Sequence, residues 1–77
     1  MSDSIHLQRI NPALNQRRFY RICLQANLFG GVDVWREWGR IGSPGRLRIE
    51  PCADVREARE RQGRLAAGKI RRGYVLL

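Results

Sequence analysis

Residues 32–50, VDVWREWGRIGSPGRLRIE, constrain the fold more than any other part of the chain. The first nine alternate. Val32, Val34, Arg36, Trp38 and Arg40 share one face of a strand, and Asp33, Trp35 and Glu37 share the other. In GSPG, Pro44 presets φ and Gly45 supplies the positive φ of a type II turn. RLRIE then returns as a second strand, with Leu47 and Ile49 on one side and Arg46, Arg48 and Glu50 on the other. A connection this short makes the pair antiparallel. The two tryptophans point to opposite faces, and a sheet covered on one side buries only one of them.

The remaining segments extend that hairpin into a sheet. SIHLQRI alternates Ile5 and Leu7 against His6 and Gln8, a short strand. NPALNQ interrupts it, because Pro12 lacks a donor and Asn11 and Asn15 favour turns. RRFYRICLQA, residues 17–26, is rich in aromatic and β-branched residues and predicts another strand that packs Tyr20, Ile22 and Leu24 inward. NLFGG closes the turn into the hairpin. The one helix begins after Asp54, an N-cap with Glu57 at the capping-box spacing. Its apolar positions are Val55, Ala58, Leu65, Ala66 and Ile70, a thin stripe, and Gly63 and Gly68 weaken it further. It must therefore gain its stability by docking on the sheet. Arg56, Arg59, Arg61, Arg64 and Lys69 are expected on its outer face. Tyr74 to Leu77 form an apolar strand or tail. These elements predict an α+β fold over residues 1–77: a single domain with an antiparallel sheet of four to five strands and one helix packed on it.

Charge narrows the function. Fifteen Lys and Arg oppose seven Asp and Glu, a formal net charge of +8, and only Lys69 among the fifteen is not arginine. That surplus in a 77-residue chain points to a polyanionic partner, and the forked guanidinium matches phosphate geometry. No apolar run approaches the ~18–20 residues that cross a bilayer. The helix also offers too little apolar area to lie on a membrane. The N-terminus lacks the basic-then-apolar order of a signal peptide, so a cytoplasmic protein is expected. Cys23, Cys52 and His6 assemble no zinc spacing, and a Cys23–Cys52 disulfide has no support in the sequence. One histidine, three serines and scattered carboxylates provide no nucleophile–base pair, and GRIGSPG lacks the Lys-Ser/Thr of a phosphate loop. The expectation is a binding module, not an enzyme, with no cofactor, no metal and no small-molecule substrate. An exposed tryptophan among guanidiniums suits stacking on a base or sugar while arginines hold phosphates. The same tryptophan also suits a half-buried core position with its indole N–H at the rim.

VWREWGRIGSPG resembles the signature of the WGR domain, named for the triplet that here is Trp38-Gly39-Arg40. NQRRFYRICLQ resembles that family's upstream strand. EAR, then KIRRGY, resemble its helix and the lysine followed by a terminal aromatic. The resemblance covers about residues 11–74, although Gln62 and Ala66 stand where helices of the polymerase type carry aromatics. WGR domains occur in DNA-dependent poly(ADP-ribose) polymerases and as bacterial modules. The resemblance implies the α+β fold already read from the residues and a non-catalytic nucleic-acid-binding role. It implies that Trp38 is the ligand-facing ring, packing on a sugar near a DNA end, and that Trp35 packs inside. It further implies polar contacts from Arg40 and a place for Asn15 near the DNA terminus.

The nucleic-acid-binding residues expected on these grounds are Trp38, Gly39, Arg40, Asn15, Arg36, Arg46, Arg48 and Lys69. Arg46 and Arg48 enter mainly through their charge, and Gly39 as a point where a β-carbon would obstruct a ligand. DNA is the expected partner, with RNA an alternative ligand for the same face. The alternative function is protein–protein interaction or homodimerisation without nucleic-acid affinity, in which Trp38 and the thin helix cover each other.

Overall fold

The computed structural model describes residues 3–77. The strands are β1 (Ser4–Asn11), β2 (Gln16–Ala26), β3 (Val32–Arg40), β4 (Arg46–Cys52) and β5 (Val75–Leu76), and the helix α1 (Val55–Arg71) lies between the last two. They form one antiparallel sheet in the order β4-β3-β2-β1-β5. The expected fold class is thus the observed one, with the C-terminal tail supplying the fifth strand on the edge beside β1. Pro51 lies in β4, the opposite edge of the sheet, the kind of strand in which proline is found.

Alternation decides the two faces of the sheet. Leu7, Tyr20, Ile22, Val34 and Cys52 meet Ala58 and Ala66 of α1 in the buried core, with Ile5, Leu24, Val32, Trp38, Leu65 and Tyr74 around it. The other face, with Phe19, Arg21, Cys23, Trp35, Glu37, Leu47 and Ile49, carries no helix. Trp35 is therefore on the uncovered face, and Trp38 is the tryptophan that joins the core. This reverses the expectation for Trp35: the helix covers the face that carries Val32, Val34 and Trp38, while Trp35 shares the other with Asp33 and Glu37. Cys23 and Cys52 stand on opposite faces and both are free thiols. Burial pushes the Cys52 thiol up from its ordinary pKa.

Helix α1 starts where the cap predicts. The Asp54 carboxylate accepts from the Glu57 N–H at 2.9 Å, and Glu57 Oε2 reaches back to the Ala53 N–H at 3.1 Å. The buried stripe is Ala58, Gln62 and Ala66, spaced four apart, while Val55 and Ile70 are exposed. Gln62 is the unexpected member. Its amide donates to the Ile22 carbonyl at 2.9 Å and to the Asp3 carbonyl at 2.8 Å. A buried amide with two good acceptors ties the helix to β2 and to the N-terminal segment, where an apolar side chain would only pack. Among the described residues, no helix is long and apolar enough to cross a membrane.

Candidate nucleic-acid interface

Trp38 is held from below by a polar and aromatic stack. It pairs in register with Tyr20 across β2 and β3, ring centroids 6.0 Å apart and planes inclined by 20°. Tyr74 meets the edge of Tyr20 at 6.3 Å. Arg36, two residues before Trp38 on the same face, donates from Nε to the Tyr20 hydroxyl at 2.7 Å and from Nη1 to Glu50 Oε1 at 2.5 Å. Its guanidinium also lies 5.8 Å from the Trp38 ring centre. Arg61 of α1 reaches Glu50 Oε2 at 3.2 Å. Burial works against the Arg36 charge, but the bonds to Glu50 and Tyr20 hold its pKa above the ordinary value. The hydrogen bond from Arg36 and the nearby Arg48 and Arg61 charges hold the Glu50 carboxyl below its ordinary range. Arg36 is thus committed within the chain, a positioning group for the ring pair.

Beside Trp38 opens a recess of about 420 Å³, lined on its polar side by Asn15, Gln16, Arg17, Arg18, Gly39 and Arg40, with Leu14 and Tyr74 at the margins. Asn15 reaches it because the 3₁₀ turn Pro12–Leu14 ends there in a left-handed residue, φ 51°. Arg40 donates to the Asn15 backbone oxygen at 3.3 Å. No carboxylate lines the recess, and Arg17, Arg18 and Arg40 form no ion pair among the described residues. Three uncompensated guanidiniums around a half-buried indole leave the place of an anion open.

Gly39 has a reason other than ligand access. A β-carbon there would sit 2.7 Å from the Gly45 Cα, where the chain returns from the hairpin. Gly45, at φ +74°, passes in turn beneath the Trp38 carbonyl, 2.4 Å from where its own β-carbon would stand. The two glycines let the connection cross over β3 and so fix the backbone on which Trp38 and Arg40 are carried. The hydrogen-bonded reversal itself is Arg40 to Ser43, from the Ser43 N–H to the Arg40 carbonyl at 3.0 Å, upstream of the Pro44–Gly45 step.

Lys69 is not on the outer face of the helix. Its ammonium sits 4.5 Å from the Tyr20 ring centre and 5.6 Å from that of Tyr74. Burial, then repulsion from Arg72, Arg36 and Arg18, lowers its pKa. A second concavity of about 400 Å³ gathers Arg36, Arg64, Lys69, Arg71 and Arg72. Arg46 pairs in register with Trp38, and Arg48 with Arg36. Both are exposed on the edge strand, and Arg48 lies 3.5 Å from Glu50. All eight expected residues thus lie at the end of the sheet where β3 and the helix terminate, or along β4 beside it.

Sequence reasoning missed Tyr20 and Glu50 as the groups that fix the site. Tyr20 reads simply as a core aromatic, and that its phenol comes within reach of Arg36, two residues along β3 from its partner Trp38, shows only once the β2–β3 register is known. Glu50 alternates with Arg46 and Arg48, a signal that it shares their face.

Comparison with known proteins places the chain in a family. Residues 3–76 match the sequence model of the WGR domain. A relative from Sinorhizobium fredii (strain NBRC 101917 / NGR234), an uncharacterized protein named y4dW, is 31% identical over 70 residues. That alignment covers 91% of this chain and 34% of the relative, so the chain spans about a third of that protein's length. No solved structure matches the chain. The match across nearly the whole chain makes it a member of the WGR domain family, a family of nucleic-acid-binding modules.

Proposed function

We propose that this chain binds DNA through the recess beside Trp38, with the indole stacking on a sugar or base at a strand end or nick. Arg17, Arg18, Arg40 and Arg46 hold the adjoining phosphates, and Lys69 adds charge from the helix side. The observation that carries this reading is the recess itself: a half-buried tryptophan walled by arginines with no carboxylate among them. A flat aromatic ring supplies sequence-tolerant stacking, and the guanidiniums supply a salt-sensitive grip on the backbone. Arg36 and Arg48 serve the same end indirectly, by orienting the rings and by closing the charge around Glu50.

The test is fluorescence anisotropy with nicked duplex, blunt duplex, single-stranded DNA and RNA across a salt series. The reading expects log affinity to fall linearly with log salt. It also expects Trp38→Ala to weaken nicked-duplex binding about tenfold or more, in line with stacking worth roughly 1–3 kcal/mol. Equal loss on intact duplex refutes end recognition, and tighter binding to the RNA probe assigns the face to RNA.

A further inference from the structure

The helix covers one side of the sheet and leaves the other bare. On the bare side Ile10, Leu47 and Ile49 are 55%, 52% and 44% exposed, beside the half-buried rings of Phe19 and Trp35. For a chain of net charge +8 this face is unusually balanced: Arg17 and Arg21 stand against Asp33 and Glu37. Arg21 and Glu37 pair with each other near its centre.

The registers place four residues on one line across the strands. Leu47 lies opposite Glu37, Glu37 opposite Arg21, and Arg21 opposite His6. A two-fold axis parallel to the strands, midway between β2 and β3, lays this row over itself in reverse. Glu37 of one copy then faces Arg21 of the partner subunit, and Leu47 faces His6 of the partner subunit. A hollow of about 330 Å³ lies at that point, lined by His6, Gln8, Phe19, Arg21 and Glu37. Leu47, exposed and apolar, is small enough to enter it.

We propose that the uncovered sheet face is an isologous dimer interface, in which Leu47 of each copy enters the His6–Phe19–Arg21 hollow of the other and the two Arg21–Glu37 pairs close into a four-membered ring. Two sheets packed face to face, inclined by about 30°, are a standard arrangement. Four strands about 4.8 Å apart and seven residues long give a flat area near 450 Å² per copy, the size of a weak, reversible interface rather than the roughly 800 Å² per partner of a standard one. With the axis midway between β2 and β3 both ion pairs are satisfied within the dimer, whereas an axis centred on β2 or on β3 would set Arg21 on Arg21 or Glu37 on Glu37. Trp38, Arg18 and Arg40 lie on the opposite face, and Arg17, which also lines the recess, stands four residues along β2 from the Arg21–Glu37 row, at the end of the strand.

Sedimentation equilibrium of the full chain without nucleic acid, from about 5 to 500 μM at moderate salt, tests this. The expected result is a monomer–dimer equilibrium, weakened about tenfold or more by Leu47→Glu, an exposed position whose change leaves the circular dichroism spectrum intact. Arg21→Glu and Glu37→Arg should each dimerise poorly alone, and an equimolar mixture should restore the dimer as a heterodimer. A wild-type chain that stays monomeric throughout overturns the proposal. So does a dimer unaffected by Leu47→Glu, or a charge-reversed mixture that fails to associate. Anisotropy with nicked duplex on Leu47→Glu keeps the two assignments apart, since it loses dimer while retaining the Trp38 recess.

Discussion

Tyr20 and Trp38 lie in register on adjacent strands with their rings nearly parallel, and the Tyr20 hydroxyl accepts from the Arg36 guanidinium. One face of the Trp38 environment is therefore settled by the core before any ligand arrives. A ring whose rotamer is already fixed loses little entropy on stacking, which favours affinity.

Removing the hydroxyl isolates this effect. Tyr20→Phe keeps the stack but deprives Arg36 of an acceptor, and should cost about 1 kcal/mol of stability. Denaturant unfolding measures it. Tyr20→Ala also deletes a nearly fully buried ring and should cost about 3–5 kcal/mol.

Glu50 anchors Arg36 and Arg61 together, and its carboxyl is held below the ordinary value of 4.5. A depressed acid contributes stability that is present above its unfolded pKa and lost as pH falls through the folded one. The chain should therefore lose stability below pH 4.5, and Glu50→Gln should flatten that dependence. Leaving Arg36 without its carboxylate should cost roughly 1–3 kcal/mol at neutral pH. Thermal melts of both proteins from pH 3 to 7 check the sign.

Lys69 behaves oppositely. Its folded pKa lies below the ordinary value of 10.5, so its charge opposes folding at neutral pH, and this cost is relieved as pH rises through the folded pKa. Lys69→Gln should leave stability unchanged or raise it, while weakening nucleic-acid binding and making its salt dependence shallower. A phosphate beside Lys69 should return its pKa upward, a shift that NMR of the side-chain ε-methylene reads directly.

Much of this was legible in the residues. Alternation in VDVWREWGR assigned Arg36, Trp38 and Arg40 to one face, and the Asp54–Glu57 spacing located the helix start, because both depend only on local geometry. Which face the helix covers is a tertiary matter, and alternation alone does not tell whether Trp35 or Trp38 lies beneath it. Gln62 gave no warning, since its value lies in two carbonyls distant in sequence. Lys69 read as solvent-facing because helical periodicity does not reveal that Tyr20 and Tyr74 stand beneath it. Gly39 carried a true signal of close approach, but the neighbour is Gly45 of the same chain.

The glycine crossing makes a sharp prediction. Gly45→Ala places a methyl against the Trp38 carbonyl and forces alanine into positive φ, which should cost more than about 1 kcal/mol and shift Trp38. By contrast, Leu28 and Phe29 in the β2–β3 loop are 99% and 95% exposed, so Phe29→Ser should change stability by less than about 0.5 kcal/mol. Chemical denaturation of the two variants side by side compares them.

The most direct test of the account follows the Trp38 indole itself. Trp35→Phe leaves Trp38 as the sole tryptophan, and its emission can be followed while nicked duplex is added at low salt. The account predicts saturable quenching with the same midpoint as anisotropy, reversed by salt. Binding seen by anisotropy while Trp38 emission stays unchanged would contradict it.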